Sequence, residues 1–253
     1  MAVAPSICPS FASGMYMQDF TSQMCASAPT PSGTDYFPIG FLIDRRDNKT
    51  YEVRKFADGN CWMVDNLAYG GADLRSDGSD GCLKTTFDGN TTSTPTNIFG
   101  DGTYGDCRYL YVSVTILDVN KYGYLYNWQA AIQDANAHHG SDYQPVQPIQ
   151  GICPDGWYLP IGGPNGQFQT LQNAIGVSDT TFWRPSGNWK SVYAGYSDWD
   201  GTLDLYGNAG FYWSSTQTSA NGTYRLAIYD VVNTVDTKSG KAGGFSIRCL
   251  KTP

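Results

Sequence analysis

The residues best suited to chemistry in this chain are its seven cysteines, and their spacing favours structural bonds over catalysis. They stand at Cys8, Cys25, Cys61, Cys82, Cys107, Cys153 and Cys249. None forms the Cys-x-x-Cys pair typical of zinc sites, and only two histidines are present. Wide spacing in a chain rich in Tyr, Asn and Gly indicates disulfides made in an oxidising compartment. We predict three bonds, Cys25–Cys61, Cys82–Cys107 and Cys153–Cys249, with Cys8 free or bonded to another chain; other pairings are compatible with the spacing.

The other ionisable residues form no recognisable catalytic or metal-binding pattern. His138 and His139 follow a predicted helix in a polar segment with no nucleophile-elbow sequence nearby, and we expect them to be solvated. Residues 77–81 and 198–201 carry closely spaced aspartates, but neither segment matches an EF-hand calcium loop, and we interpret both as turns. We therefore expect no enzymatic activity and no cofactor, with bound calcium as the alternative.

Recognition by aromatic and hydrogen-bonding side chains is the chemistry that the C-terminal region favours. Residues 193–206 place several aromatic rings among Gly, Ser and Asp, where a ring is costly to expose unless it packs or binds. Tyr and Trp combine contact area with a polar group at low entropic cost, as binding faces require. The candidate ligand-binding residues are Tyr193, Tyr196, Asp198, Trp199, Tyr206, Tyr224, Arg225, Tyr229, Asp230, Asn233 and Asp236.

The net charge of the chain and the distribution of its basic residues limit the kinds of partner that it can bind. The chain of 253 residues has a formal net charge of −7, and its 16 Lys and Arg residues form no cluster. Proteins that bind nucleic acid or anionic membrane surfaces need clustered basic side chains, so we expect neither partner. No segment approaches the ~20 apolar residues of a membrane span. No basic-then-apolar export signal opens the chain, so we expect a trimmed signal or anchor and no direct membrane insertion.

The elements that would position these residues are an N-terminal extension at 1–35 and one domain at 36–253. The extension is rich in Ser, Ala, Pro and Met and includes a predicted short helix near residues 15–24. Hairpins are predicted at 41–53 and around Asp58-Gly59, a strong tight-turn signal. Apolar residues at helical spacing predict helices over 128–135 and 168–175. Residues 110–116 predict a strand, whereas 69–107 lose periodicity and predict an irregular surface insertion.

The C-terminal region predicts antiparallel strands. Alternation places Leu226 and Ile228 on one face of a strand, and Arg225, Ala227 and Tyr229 on the other. We interpret the first face as packed on the core and the second as free in solvent. The predicted binding face therefore combines the 193–206 loop with the exposed side of 225–241.

Short motifs occur along the chain in a specific order. They are Asp44…Asp47-x-Lys49-Thr50-Tyr51, Cys61-Trp-Met63 with Asn66-Leu67, Tyr122-Gly-x-Leu-Tyr126-x-Trp128, Cys153-Pro-x-Gly-Trp157-x-Leu-Pro160, Tyr212-Trp-Ser-Ser-Thr216 and Phe245-Ser-x-Arg-Cys249. Together they resemble the Fibrobacter succinogenes major paralogous domain over about residues 38–251. That family is similar to the C-type lectin-like fold in its formylglycine-generating-enzyme-like branch. The resemblance implies an α+β domain at a bacterial cell surface, with two helices packed on short antiparallel sheets. Residues 69–107 exceed the family's usual spacing.

Residues inside these motifs are expected to be structural. We predict that the core contains Trp62, Trp128, Trp157 and Trp213. Arg248 is expected to pair with an internal carboxylate. Formylglycine-generating oxidases bind copper through paired cysteines near the C-terminus. Here only Cys153 and Cys249 are candidates, and their predicted disulfide disfavours that activity.

The C-terminal segment also resembles the variable region of diversity-generating retroelement proteins, which use the same fold to display diversified residues for ligand binding. Their mutagenesis acts at adenines, so Asn codons become codons for residues such as Tyr, Asp, Ser and Thr, in which 193–242 are rich. We therefore expect a secreted or surface-displayed protein that binds a protein or glycan ligand on a cell surface, as in adhesion. The alternatives are a structural or pilus-associated subunit and, less favoured, an oxidase of the formylglycine-generating type.

Overall fold

Short helices and four small sheets make up the part of the chain that the structure describes. The computed structural model describes residues 12–70, 82–87, 107–112, 119–134, 137, 140–176, 180–198, 203–230 and 233–253, but not the side chains of 82–87, 107–112, 119–120, 233 and 236. The helices are α1 (Ser22–Ser27), α2 (Val119–Tyr122), α3 (Trp128–Ile132) and α4 (Gln167–Ile175), with a 3-10 turn at Met17–Asp19. The strands are β1 (Phe37–Ile43), β2 (Thr50–Lys55), β3 (Cys61–Met63), β4 (Cys82–Phe87), β5 (Cys107–Val112), β6 (Leu125–Tyr126), β7 (Tyr196–Ser197), β8 (Leu203–Asp204), β9 (Ala209–Ser219), β10 (Gly222–Tyr229), β11 (Asn233–Gly240) and β12 (Leu250–Lys251). The mixed α+β class predicted from the sequence is confirmed.

The first sheet has strand order β1-β2-β3-β12 and brings the N-terminal and C-terminal parts of the domain together. Leu42 of β1 lies opposite Tyr51 of β2, and both side chains are buried. Gly59 adopts a φ of +83° in the turn that joins β2 to β3, a conformation that glycine reaches without steric cost. Both predicted hairpins are therefore present.

Two disulfides join segments that are distant along the chain. Cys25–Cys61 ties α1 to β3, and Cys153–Cys249 ties the turn before Trp157 to the segment before β12. Both predicted pairings are confirmed. Cys82 and Cys107 are direct partners in the parallel β4–β5 ladder. Their side chains, like Cys8, lie outside the described part of the chain, so that pairing stays a prediction.

The two main predicted helices are present, and the first is shorter than expected. Asn127 caps the start of α3, because its side chain accepts a hydrogen bond from the Ala130 N–H at 2.8 Å. Gln133 follows the helix with a φ of +57°, a left-handed conformation that ends it before residue 135. In α4 the buried residues are Phe168, Leu171 and Ile175, as their spacing predicted.

The second sheet, β11-β10-β9, separates two hydrophobic clusters. Leu226 and Ile228 of β10 belong to one cluster, and Ala227 belongs to the other. The predicted alternation is therefore correct. The prediction that the Ala227 side of the strand is free in solvent was wrong, because Ala227 is 1% exposed and packs in a cluster that includes Phe211 and Phe245.

The four motif tryptophans are fully buried, as predicted, whereas the prediction for Arg248 was wrong. Arg248 is also fully buried, but its guanidinium forms no ion pair with a carboxylate of the described residues. It donates hydrogen bonds to the Asn66 side-chain oxygen and to the backbone carbonyls of Trp189 and Lys190 at 3.1, 2.5 and 2.8 Å. The rings of Trp189 and Tyr212 each lie 4.8 Å from the guanidinium carbon. Aromatic faces and neutral oxygens therefore take the place of the expected negative charge.

Candidate ligand-binding site

The loop that carries the predicted aromatic residues is attached to the second sheet at several points. Its strand β7 pairs with β8, and Ser197 exchanges backbone hydrogen bonds of 2.9 and 2.7 Å with Gly244. Gly195 donates its N–H to the carbonyl of Ala209 at the start of β9. Gly195 has a φ of +67°, and a β-carbon at this position would lie 2.2 Å from the Asp204 carbonyl oxygen. Only glycine therefore permits this close approach.

Phe211 and Phe245 form a buried bed beneath the site. Their ring centroids are 5.7 Å apart, and Trp213 packs on Phe245 from below at 4.2 Å. Tyr196 of the loop meets Phe211 edge-on at 5.2 Å, and Tyr229 of β10 does the same at 5.7 Å. Such edge-to-face pairs contribute about 0.5–1.5 kcal/mol each beyond their buried area. The two tyrosine rings are thereby held in place before any ligand arrives.

Arg225 lies between these two tyrosines. Its guanidinium carbon is 4.6 Å from the centre of the Phe211 ring and 4.9 Å from that of Phe245. Its Nε is buried, and no atom of the described chain accepts a hydrogen bond from it. Burial lowers the pKa of Arg225, an effect that the nearby Tyr229 and Tyr196 oppose. The arginine is thus a partly desolvated cation, which raises the strength of any contact with an acceptor on a ligand.

Carboxylates hold the hydroxyl groups of two loop tyrosines. Tyr193 donates to Asp230 at 3.0 Å, and Tyr196 donates to Asp204 at 3.1 Å. Burial and, after it, the hydrogen bond to the carboxylate raise the pKa of both tyrosines. Both hydroxyls therefore remain protonated at neutral pH, and each neighbouring carboxylate keeps lone pairs for further donors.

We name Tyr193, Tyr196, Arg225 and Tyr229 the Tyr–Arg face. All four are partly exposed, and Asp204 and Asp230 are exposed at its edges. Sequence reasoning placed these four residues and Asp230 in one site. The structure brings Tyr196, Arg225 and Tyr229 together on the Phe211 ring. Tyr193 packs against the other hydrophobic cluster and reaches this face through its hydrogen bond to Asp230. Sequence reasoning missed Asp204 and the bed of Phe211 and Phe245. The β7–β8 strands that present Asp204 have two residues each, too few to show a sequence pattern. Phe245, in contrast, stands in one of the motifs quoted above, and Phe211 directly precedes another.

The remaining predicted site residues are placed differently or lie outside the described chain. Tyr224 is on the opposite side of β10 from Arg225, with its ring over Gly163. Tyr206 packs on Tyr122 with ring centroids 5.3 Å apart, and burial raises its pKa to about 12. Asp198 is exposed. Trp199 lies outside the described residues, as do the side chains of Asn233 and Asp236, which are placed only as backbone positions of β11.

Among the described residues, two chemistries raised by the sequence can be checked directly, metal binding and cysteine-bound copper. They contain no group of three or more His, Cys, Asp or Glu side chains able to hold a metal ion. Cys153 and Cys249, the candidate copper ligands, are joined in a disulfide and carry no thiol. His138, His139, residues 77–81 and residues 199–201 lie outside the described chain. No helix in the described ranges is long and apolar enough to cross a membrane.

A separate open pocket of about 260 Å³ lies at the end of the β1–β2 hairpin. It is lined by Lys49, Thr50, Tyr51, Asp65, Asn66 and Ala68. These residues belong to different elements from those of the Tyr–Arg face, so the pocket is not part of the predicted site.

Comparison with known proteins identifies no relative for this chain. No model of a protein family matches the sequence, and no curated protein and no solved structure matches it. The geometry of the Tyr–Arg face, together with the sequence motifs, therefore supplies the basis for a function.

Proposed function

We propose that this protein is a ligand-binding domain with a C-type lectin-like fold, secreted or displayed on a bacterial surface, and that the Tyr–Arg face binds its protein or glycan ligand. The observation that carries the proposal is the position of Arg225. It is a partly buried cation stacked on two phenylalanine rings, flanked by two tyrosines, with a buried Nε that no described residue uses. Aromatic side chains and arginine are the residues that most often dominate binding energy at protein interfaces.

The face is organised before binding, which favours affinity. Immobilising a flexible side chain on binding costs about 0.5–1.5 kcal/mol. Tyr193 and Tyr196 already have their hydroxyls fixed by carboxylates, and Tyr196 and Tyr229 have their rings fixed on Phe211. A ligand that contacts these rings therefore pays little of that cost.

The disulfides agree with a location outside the cytoplasm. Cys25–Cys61 and Cys153–Cys249 are the kind of bond that persists in secreted proteins and at cell surfaces. The resemblance of the motifs to surface domains supports the same location. The Tyr–Arg face combines aromatic rings, a partly buried cation and exposed carboxylates, so recognition is the activity that we assign to it.

The retroelement part of the proposal is tested by sequencing the DNA that follows the gene. We expect a near-copy of the 3′ coding segment that differs mainly at adenines, with differences at the codons for Tyr196 and Tyr229. Absence of such a copy near the gene would refute diversification, and the face would then be a binding surface of fixed sequence.

The binding part is tested by screening the labelled protein on arrays of glycans and of bacterial envelope proteins. For each probe that the parent protein binds, Tyr196→Ala and Tyr229→Ala should weaken binding at least about tenfold, as loss of a central aromatic anchor does. Tyr16→Ala is the matched control, because Tyr16 is also an exposed tyrosine with an arginine, Arg45, stacked on its ring. Unchanged binding by both face variants would show that the ligand contacts another surface.

A further inference from the structure

A lysine, a glutamine and an aspartate stand in a row at the opposite end of the second sheet from Tyr229. Gln217 is in β9 opposite Thr223 of β10, whereas Tyr229 pairs with Ala209 at the other end of the same ladder. Lys241 follows β11, and its backbone N–H binds the Asn221 carbonyl in the β9–β10 turn. This group of side chains plays no part in the proposed ligand site.

The amine of Lys241 is buried against the side-chain amide of Gln217. Lys241 is 2% exposed and Gln217 is 5% exposed. The Lys241 Nζ lies 2.5 Å from Gln217 Oε1, 2.7 Å from the Ser141 carbonyl oxygen and 4.7 Å from the centre of the Trp128 ring. Since a C=O bond is about 1.2 Å long, the Nζ is at most about 3.7 Å from the Gln217 Cδ. The amine approaches from the oxygen side as a hydrogen-bond donor, so after losing a proton it has to move over the Cδ to reach the attack distance of about 3–3.5 Å.

The same amide is polarised at both of its polar atoms. Gln217 Oε1 also accepts a hydrogen bond from the backbone N–H of Tyr143 at 3.1 Å. Gln217 Nε2 donates to Asp142 Oδ1 at 2.6 Å. A backbone donor on the carbonyl oxygen stabilises negative charge that develops there, and a carboxylate on the nitrogen can exchange protons with it.

We propose that Lys241 and Gln217 join in an intramolecular isopeptide bond. The neutral amine of Lys241 attacks the Gln217 Cδ, and the new C–N bond places negative charge on Oε1 beside the Tyr143 N–H. Asp142 accepts a proton from the attacking nitrogen and returns it to Nε2. The Cδ–Nε2 bond then breaks, and the former amide nitrogen leaves as ammonia. One amide replaces another, so the step needs no oxidant, reductant or co-reactant.

The surroundings of Lys241 favour the reactive form of its amine. Burial lowers the pKa of Lys241 to about 8, an effect that the charge of Asp142 opposes. At pH 8 about half of the amines are then neutral, compared with well under a hundredth for an exposed lysine of pKa ~10.4. Trp128 covers the amine and restricts the access of water.

Intact mass spectrometry of the reduced, denatured protein tests the bond directly. After incubation at pH 8 until the mass is constant, we expect a mass about 17 Da below that of the sequence, which is the loss of one ammonia. Digestion should release a branched peptide that joins the segments containing Lys241 and Gln217. A parent protein at the full mass of its sequence would overturn the proposal.

Variants separate this bond from the other route to the same mass loss. Succinimide formation at Asn165-Gly166 or Asn221-Gly222 also releases ammonia, but it does not need Lys241. The deficit should disappear in Lys241→Arg and Gln217→Met and persist in Lys238→Arg, the matched control at an exposed lysine of β11. A deficit that persists in Lys241→Arg would assign it to the succinimide and refute the proposal.

Proton transfer by Asp142 is tested separately, by the rate at which the isopeptide bond forms. Asp142→Asn retains an oxygen that can accept the hydrogen bond from Gln217, but it cannot take up the proton. We expect bond formation, followed by mass at pH 8, to slow at least about tenfold, since a positioned proton-transfer group contributes about 10²–10⁴-fold. An unchanged rate would remove Asp142 from the mechanism.

Discussion

Replacement of Arg248 by lysine should destabilise the domain strongly, although the charge is conserved. The guanidinium donates three hydrogen bonds, to one side-chain and two backbone oxygens, from a fully buried position. A lysine ammonium is a compact donor on a flexible stem and cannot reproduce the planar fork that reaches all three oxygens. Hydrogen bonds to charged groups contribute about 1.5–3 kcal/mol each, so the loss of two predicts about 3–6 kcal/mol. That is a large fraction of the ~5–15 kcal/mol by which domains are stable.

Urea unfolding at pH 7, followed by tryptophan fluorescence, measures this loss as a change in the free energy of unfolding. Arg45→Lys is the control, because Arg45 forms an exposed ion pair with Asp19 at 2.7 Å and such pairs contribute at most about 1 kcal/mol. If Arg248→Lys changes the free energy of unfolding by less than about 1 kcal/mol, the buried guanidinium is not held by these oxygens and the reasoning fails.

Three further predictions concern pH, the disulfides and the loop. Burial raises the pKa of Asp58 to about 6, so the folded state binds a proton more tightly than the unfolded state. The contribution of Asp58 to the free energy of unfolding should therefore fall as pH rises from about 4 to about 6. Urea unfolding across that range checks this as a pH-dependent difference between the parent and Asp58→Asn, and a constant difference would contradict it. In the chain-entropy model, loss of Cys153–Cys249 should lower the free energy of unfolding by about 4.7 kcal/mol and loss of Cys25–Cys61 by about 3.8 kcal/mol, because the first bond closes the longer loop. Urea unfolding of the two double Cys→Ser variants shows which loss is larger. A larger loss for Cys25–Cys61 would count against the loop-length explanation. Gly195→Ala should lower stability and weaken binding at the Tyr–Arg face, because the new β-carbon would lie 2.2 Å from a backbone oxygen. Gly207 has a similar φ but open space around it, so Gly207→Ala should lower stability by only about 1 kcal/mol. Equal losses of stability for the two variants in calorimetry would refute the steric argument.

Local patterns were sufficient to predict much of the frame. Apolar spacing identified the buried residues of α4, and the Asp58-Gly59 turn signal identified the β2–β3 hairpin. The alternation of residues along β10 correctly predicted that Leu226 and Ile228 lie on the opposite face of the strand from Ala227. Each of these signals depends on residues close together in the chain, where helix and strand periodicities act directly.

Contacts between segments that are far apart in the sequence could not be predicted from such local patterns. The Ala227 side of β10 was predicted to be free, but it belongs to a buried cluster with Phe245, a residue from beyond β11. The partner of Arg248 was expected to be a carboxylate, yet Trp189 and Lys190 supply carbonyl oxygens instead. A backbone carbonyl has no signature in the sequence, because every residue carries one.

The Cys153–Cys249 disulfide determines how the protein transmits mechanical force. If the chain is pulled at its two ends, as when an anchored protein holds a moving particle, tension reaches Cys153 and passes through the sulfur atoms to Cys249. The intervening residues, which include the whole Tyr–Arg face, are bypassed by the load. The Tyr–Arg face would then keep its shape under a pull that extends the rest of the chain.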